Sequence, residues 1–207
     1  MAEASTDRRR TGTRDRLVEA ALGIFAKQGY AGTTVSELER AVGLTPGSGA
    51  LYRHFDSKEA LLLAAVRAYH VRMRELCDGV RALDPAADAF TELARILDAL
   101  AMFITQERPM VEVAGASDLP AAVRGAIGEI WDEGYRLVAE AFERYKFDDD
   151  EAKTAAVACL GSLAHYVLQE MAVGTSPGDV PGDRFIDWWF DHWTNALERG
   201  PEEPRRR

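Results

Sequence analysis

The sequence predicts an all-α protein, and three observations support that prediction. Apolar residues recur every three or four positions through most of the 207 residues. No segment alternates apolar and polar residues with the period of two that is typical of a strand. Capping residues, glycines and prolines divide the chain into about nine helical segments. Because 47% of the residues are hydrophobic, a folded core is expected.

The first helix is expected over about residues 13–28, where apolar side chains share one face and Gly29 is suited to end the helix. Residues 1–12 precede it with three consecutive arginines, and we interpret them as a disordered basic arm. The second helix is expected to open at Thr34, because Glu37 three residues later completes the pattern of a capping box.

The third helix is expected over about residues 45–53. Thr45 is a suitable N-cap, and Pro46 would occupy the first helical position, where its missing N–H costs little. This interpretation makes residues 13–56 a small domain of three helices.

The rest of the chain is predicted to form a larger helical domain over residues 57–199. The tail, residues 200–207, reads GPEEPRRR and is interpreted as disordered. Periodicity and punctuation place the six helices of the larger domain at about residues 57–80, 84–106, 109–116, 120–145, 149–173 and 184–199.

The arrangement of the first three helices is typical of a helix-turn-helix, which places its second short helix in the major groove of DNA. Gly47 and Gly49 would leave no side chain between that helix and the bases, and exposed N–H groups at its start favour an anion. The same glycines are equally compatible with a relaxed tight turn. The polar face of this helix is expected to carry Thr45, Ser48, Gly49, Tyr52 and Arg53.

The charge distribution restricts where a polyanion such as DNA can bind. The whole chain has a net charge of −9. Residues 1–60 contain 9 Lys and Arg against 8 Asp and Glu, a net charge of +1, whereas residues 61–207 contain 16 against 26, a net charge of −10. The N-terminal region is therefore the part that DNA can approach without strong repulsion.

The segment TTVSELERAVGLTPGSGALYRHFDSKEALL resembles the DNA-binding domain of the TetR family of bacterial transcriptional repressors. The pattern TT-V-x-x-L-x-x-A-V-G followed by LYRHFxSKEALL is highly specific, and the preceding RLVEAALGIFAKQGYAGTT matches the first helix of that family. The resemblance covers about residues 14–64. In one respect the chain departs from the family, because GLTPGSGALY is two residues longer than the commonest spacing there.

The resemblance implies phosphate contacts for Thr34, Tyr52, His54 and Lys58. Arg53 is the best candidate for reading a base, because its guanidinium can bond a guanine edge with two hydrogen bonds; a phosphate contact is the equal alternative. The predicted DNA-binding residues are Thr34, Ser36, Thr45, Pro46, Gly47, Ser48, Gly49, Ala50, Tyr52, Arg53, His54 and Lys58.

In the larger domain, the resemblance implies a site for a small-molecule effector. Aromatic and Met side chains at helical spacing are more often core than pocket, and a buried histidine with its hydrogen bonds satisfied is also compatible with the pattern. The candidate effector-binding residues are Met102, Phe103, Met110, Trp131, Tyr135, Phe142, His165 and Gln169.

The last two helices are predicted to form the interface of a twofold homodimer. The earlier one carries small residues that allow another helix to approach closely. The final helix spreads its aromatic residues over a stripe too wide for one neighbour to cover, and exposed patches of this kind usually mark contacts. The candidate interface residues are Ala155, Ala158, Ser162, Phe185, Trp188, Trp189 and Trp193.

Other classes of protein receive little support from the sequence. No Glu lies three positions before any of the four histidines, so the Glu-x-x-His pair of di-metal bundles is absent, and no phosphate-binding loop occurs. Cys77 and Cys159 alone provide neither a disulfide framework nor a metal-ligand spacing, which favours a reducing cytoplasm. The longest apolar run, residues 60–66, is too short to span a membrane. We expect no metal, no cofactor, no catalysis and no membrane association.

Together these patterns predict a cytoplasmic bacterial repressor. It would bind a near-palindromic double-stranded DNA operator as a homodimer and be released by a small-molecule effector. A ligand-independent DNA-binding protein and an activator remain alternatives, and a helical-bundle enzyme is a remote one.

Overall fold

Eight α-helices and two short 3₁₀ turns make up the chain in a computed structural model, which describes residues 2–84 and 88–200. No strand occurs within those residues, so the predicted all-α class is confirmed. The α-helices are α1 Ala2–Gly32, α2 Val35–Ala41, α3 Lys58–Arg81, α4 Ala89–Gln106, α5 Arg108–Ala114, α6 Ala121–Arg144, α7 Asp149–Val173 and α8 Gly182–Arg199; the 3₁₀ turns are Leu51–Arg53 and Pro177–Asp179.

The chain divides into two compact units. The first unit contains residues up to Glu75 together with Phe103–Ile130, and the second contains Leu76–Met102 and the residues from Trp131 onward. Within the part of the chain that is described, no helix combines the length and the apolar character that a membrane span requires. The predicted tail begins at Gly200, and residues 201–207 lie outside the described residues.

Helix α1 begins at Ala2, whereas the sequence predicted a disordered arm over residues 1–12 and a helix from about residue 13. The segment before residue 13 contains Ala, Glu and Arg, which favour helix, and no proline interrupts it. At the other end, the sequence predicted that Gly29 ends the helix. Gly29 has a non-helical φ of 72° and kinks the chain there, and α1 continues to Gly32.

Helix α2 starts with the capping box that the sequence predicted. The Glu37 N–H donates to Thr34 Oγ1 at 3.3 Å, and the Thr34 N–H donates to Glu37 Oε2 at 2.8 Å. Hydrogen bonds to the Glu37 carboxylate from the Thr34 hydroxyl, at 2.7 Å, and from the Thr34 N–H hold the pKa of that carboxyl below its usual value. The first turn of α2 is therefore fixed locally, by residues three apart in the sequence.

The predicted third helix is wrong. Thr45 does not cap a helix and Pro46 does not begin one, because residues 45–50 form a turn, with the Ser48 N–H donating to Thr45 O at 3.2 Å. Gly47 and Gly49 have φ values of 75° and 67°, in the left-handed region that glycine tolerates and a right-handed helix excludes. Helical structure is limited to the 3₁₀ turn Leu51–Arg53. The glycines thus shape a turn, as their alternative interpretation held.

The first unit has a continuous set of buried apolar residues from each of its N-terminal elements. The 3₁₀ turn contributes Leu51, and Phe55 follows it. Both are buried, as are Leu38 of α2 and Leu17 and Phe25 of α1. Burial of large apolar side chains on every element stabilises this small domain, since α2 and the 3₁₀ turn are too short to be stable alone.

In the second unit, α7 and α8 are joined by specific contacts. The indole Nε1 of the fully buried Trp189 donates to Cys159 O at 3.1 Å and to Ser162 Oγ at 3.0 Å. The ring of Phe185 stacks on Tyr166 with centroids 4.2 Å apart. A buried indole needs a partner for its N–H, so these bonds fix the register of α8 on α7.

Candidate nucleic-acid interface

The predicted DNA-binding residues form an accessible surface on the first unit. Tyr52 is 56% exposed and Arg53 is also exposed, on the 3₁₀ turn. The exposed members of the predicted set are Thr34, Thr45, Pro46, Gly47, Ser48, Tyr52 and Arg53, and the half-buried members are Ser36, Gly49, Ala50, His54 and Lys58. We call residues 45–53 the reading turn, for the role that the sequence predicts for them.

The reading turn lies against the first turn of α2. A Cβ placed on Gly47 would be 3.8 Å from Ser36 Oγ, and a Cβ placed on Gly49 would be 3.8 Å from Cδ2 of Tyr52. There is room for a side chain at both glycines, so their positive φ is the constraint that favours glycine. The structure therefore brings Ser36 to the reading turn, as a shared DNA-facing surface requires.

Sequence reasoning missed Glu39, which lies under the reading turn. Its side chain is 0% exposed, and its carboxylate accepts hydrogen bonds from two backbone N–H groups of the turn: Gly47 N to Oε2 at 2.7 Å and Leu51 N to Oε1 at 3.1 Å. The N–H groups of Gly47 and Leu51 therefore face the interior of the protein. The expectation that N–H groups of this segment are exposed to bind an anion is wrong for these two. The available signal was an acidic residue next to the buried Leu38 on a short helix.

Lys58, a predicted phosphate contact, joins α3 to the end of α1. Its ammonium Nζ donates to Tyr30 O at 2.6 Å and Thr33 O at 3.0 Å, with Ala31 O at 3.5 Å. It also lies 4.4 Å from the centroid of the Tyr30 ring, in cation–π geometry. An ammonium favours the carbonyl oxygens at the end of a helix. Contact of Lys58 with a phosphate stays a prediction.

Two of the candidate effector residues are in the first unit and are packed there. Phe103 is buried against Tyr69, with ring centroids 4.8 Å apart, and Met110 is buried on α5. These contacts are those of core residues, which was the alternative interpretation of the pattern.

The other six candidates belong to the second unit. Phe142 is fully buried and meets Phe147 and Trp193 edge-on, at 5.1 and 5.9 Å between centroids. Met102 and His165 are exposed, whereas Trp131, Tyr135 and Gln169 are half-buried. Phe142 is therefore a core residue in this structure.

One cavity of the second unit has a volume of about 100 Å³. Arg81, Arg95 and Arg144 line it together with Asp84 and Glu92, and none of the candidate effector residues is among its lining residues. Two of these arginines form ion pairs: Arg144 with Glu92, and Arg81 with Glu140 and Glu133. Within the described residues, no group of three or more His, Cys, Asp or Glu side chains is placed to hold a metal ion.

The candidate interface residues differ in how much of each remains accessible. The prediction that Trp189 lies in the dimer interface is wrong. Its ring is buried within its own chain and has no surface left for a second copy. Trp188, the next residue, is 60% exposed and stacks on His192 with centroids 4.8 Å apart. Of the remaining candidates, Ala158 and Ser162 are exposed, and Ala155, Phe185 and Trp193 are half-buried.

Part of the chain matches the model of a known protein family. The model of the bacterial regulatory proteins of the tetR family matches residues 17–65, which run from α1 through α2 and the reading turn into α3. Over these residues the chain is similar to the TetR family. The resemblance found in the sequence is thereby confirmed.

Curated relatives match part of this chain. The transcriptional repressor AcnR of Corynebacterium glutamicum is 42% identical over 66 residues, covering 32% of this chain and 34% of the relative. An uncharacterised HTH-type transcriptional regulator of Mycobacterium tuberculosis is 30% identical over 122 residues, covering 54% and 59%. The chain thus spans less than two thirds of the length of these relatives. They are named as regulators, in agreement with the prediction that the protein is not an enzyme.

Solved structures match the chain over most of its length. FadR from Bacillus halodurans has a TM-score of 0.65 at 18% identity and covers 94% of this chain and 97% of its own. A transcriptional regulator from Pseudomonas aeruginosa PAO1 has a TM-score of 0.68 at 21% identity, covering 90% and 92%. FadR from Bacillus subtilis, solved in complex with stearoyl-CoA, has a TM-score of 0.62 at 16% identity, covering 90% and 98%. At these identities the likeness establishes the fold.

Proposed function

We propose that this protein is a transcriptional repressor that binds a near-palindromic double-stranded DNA operator as a homodimer and is released by a small-molecule effector. The observation that carries the proposal is the reading turn, which presents Tyr52 and Arg53 to solvent beside the first turn of α2, within the region that matches the family. Such a unit places its second element in the major groove.

The chemistry of the surface supports DNA as the partner. Arg53 provides a planar guanidinium for a base edge or a phosphate, and Ser48, Thr34 and Thr45 provide hydroxyls in exposed positions. The acidic residues of the chain lie mostly beyond residue 60, where 26 Asp and Glu face 16 Lys and Arg. Long-range repulsion therefore directs DNA to the N-terminal region.

Homodimerisation is supported by the surface that α7 and α8 leave uncovered. Trp188 and Val157 are large apolar residues more than half exposed, and Ala158 and Ser162 are small exposed residues on α7. A second copy related by a twofold axis would bury this surface, and the dimer would carry two reading turns. Half-sites about 34–36 Å apart, centre to centre, follow from that symmetry.

Effector release is the part of the proposal that rests on the similarity to the family. The B. subtilis FadR neighbour was solved with stearoyl-CoA, which supports a ligand site in a helical bundle of this fold. An effector releases DNA only if it binds the operator-competent conformation less tightly than another conformation.

The test begins with selection of binding sites from a random duplex library by the full-length protein at defined salt. The expected result is one enriched sequence with two inverted half-sites about one helical turn apart. A compound panel, including acyl-CoA thioesters, is then screened for compounds that raise the melting temperature and release the selected DNA. Failure to enrich any sequence contradicts DNA recognition, a single unpaired half-site contradicts the dimer, and release by no compound favours ligand-independent binding.

A further inference from the structure

The reading turn depends on a carboxylate that does not itself reach the surface. Glu39 is fully buried on α2, and its two oxygens accept the N–H groups of Gly47 and Leu51, which bracket residues 48–50 of the turn. Its backbone carbonyl oxygen also accepts the Leu44 N–H at 2.9 Å. One residue of α2 therefore fixes the turn at two points and the residue before the turn at a third.

Burying a charged side chain at this position is unfavourable in free energy unless the charge has hydrogen-bond partners. Burying a carboxylate without partners is strongly unfavourable, whereas backbone N–H donors to a carboxylate form charge-assisted hydrogen bonds. The neighbouring inward position of α2 carries Leu38, so apolar packing is available to this helix. The carboxylate adds directional bonds to the turn, which an apolar side chain cannot provide.

The backbone of the turn needs such a constraint. Gly47 and Gly49 both have positive φ, and glycine populates many other conformations about as readily. Without a tether, Ser48, Tyr52 and Arg53 would not keep one orientation.

We infer that Glu39 is a positioning residue for DNA recognition: its buried carboxylate holds Gly47 and Leu51 so that the reading turn presents Ser48, Tyr52 and Arg53 in one geometry. This inference rests on the proposed function. It adds a residue that touches no DNA and that acts through the backbone of the turn.

The discriminating substitution is Glu39→Gln, which keeps the size of the side chain. The amide retains one acceptor oxygen, but its NH₂ group faces the second backbone N–H, so one of the two hydrogen bonds is lost. The expected loss of affinity for the selected operator is about tenfold, because a turn released from one of its bonds must be ordered again when it binds DNA. Affinity for random-sequence DNA, which depends on charge and not on the geometry of the turn, is expected to change less than about twofold.

Glu133→Gln is the matched control, since Glu133 is also a buried glutamate, at 5% exposure, but it belongs to the second unit and bonds Arg81 and Arg136. The control is expected to keep the wild-type ratio of operator to random-DNA affinity. Hydrogen exchange followed by mass spectrometry supplies a second readout: the peptide containing residues 44–51 is expected to exchange faster in Glu39→Gln and at the wild-type rate in the control.

Fluorescence anisotropy with the selected operator and with random duplex measures both affinities in full-length protein. An unchanged ratio in folded Glu39→Gln overturns the inference, whether or not the exchange rate rises. If that variant does not fold, Glu39→Asp, which keeps the charge and shortens the reach, is measured in its place and judged by the same ratio. If the wild-type protein selects no sequence, the proposed function fails and the inference fails with it.

Discussion

The carboxylate of Asp118 accepts a hydrogen bond from the Ala31 N–H at 2.7 Å, across 87 positions of sequence. Ala31 follows the kink at Gly29, and Asp118 lies in the segment between α5 and α6; both residues belong to the first unit. The end of α1 is thus held by a residue far outside the region that matches the family model, residues 17–65.

Replacing Asp118 tests how much this bond stabilises the first unit. Asp118→Ala is expected to lower the free energy of unfolding by about 1 kcal/mol, because the Ala31 N–H exchanges a charged acceptor for water. Urea titration measures the change. Asp118→Asn retains an acceptor oxygen and is expected to lose less, and Asp132→Ala, an exposed carboxylate on α6, serves as the control. Equal stability of Asp118→Ala and the wild type would show that the contact contributes nothing.

Lys58 offers a test that separates its internal contacts from its predicted role on DNA. Lys58→Met keeps the apolar stem beside Tyr30 but removes the ammonium from the carbonyl oxygens of Tyr30 and Thr33. The expected loss of unfolding free energy, measured in urea, is about 1–3 kcal/mol, as for hydrogen bonds to charged groups.

The predicted phosphate contact gives a second expectation for the same variant. Lys58→Met should weaken binding to all DNA sequences alike and reduce the slope of log affinity against log salt by about one. Lys27→Met, an exposed lysine of α1, is the control for overall charge. Lost stability with an unchanged salt slope would make Lys58 a structural residue only.

The sequence predicted features that depend on near neighbours and missed those that depend on distant ones. The capping box of Thr34 and Glu37 was predictable because its members are three residues apart. The third helix was wrongly predicted because Thr45 and Pro46 favour a helix start locally, while the tertiary bonds to Glu39 favour a turn with positive φ at its glycines. The one local signal in α2 is the position of Glu39 next to the inward-facing Leu38, and it does not reveal the hydrogen bonds to Gly47 and Leu51.

Substitutions of Arg53 test whether this residue reads a base or contacts a phosphate. Arg53→Ala is expected to cost about 1–3 kcal/mol of operator affinity and to relax sequence preference at one base pair of each half-site, if its fork bonds a base edge. Arg53→Lys separates the two roles, because an ammonium can contact a phosphate but cannot replace a bidentate guanidinium. Retention of both affinity and sequence preference in Arg53→Lys would assign Arg53 to a phosphate. Binding affinities for the operator and for its single-base variants provide the measurement.

Trp188 is exposed and its neighbour Trp189 is buried. The stripe of aromatic residues in the sequence does not show which of the two is exposed. Trp188→Ala is expected to leave the unfolding free energy of the chain nearly unchanged and to weaken the proposed dimer by about 2 kcal/mol or more, as buried tryptophans at interfaces do. Trp189→Ala is expected to show the reverse, with a loss of about 3–5 kcal/mol in unfolding free energy. Sedimentation equilibrium at micromolar concentration and urea titration measure the two effects. A Trp188→Ala protein that dimerises like the wild type would exclude Trp188 from the interface.

Because the pKa values of both buried cysteine thiols are raised, we expect the unfolding free energy to decrease at alkaline pH. Burial, with the negative charge of Glu133 as a smaller cause, raises the pKa of the Cys77 thiol to about 11, and burial also raises the pKa of Cys159. In the unfolded chain both thiols titrate near the ordinary value of 9.0. Between these values the unfolded chain has lost protons that the folded chain keeps, so it binds fewer protons and the unfolding free energy decreases as the pH rises.

The expected slope is at most about 1.4 kcal/mol per pH unit for each thiol. Urea titrations from pH 8 to about pH 10 measure this slope; Tyr30, Tyr69 and Tyr145, whose pKa values are raised in the folded chain, add a slope of the same sign near pH 10 in every variant. The double variant Cys77→Ala, Cys159→Ala has no thiol to titrate, so its unfolding free energy should fall less steeply over the same range. Because cavity formation lowers stability equally at every pH, the difference in slope isolates the thiols. Identical slopes in the two proteins would show that neither thiol titrates differently in the folded and unfolded chains.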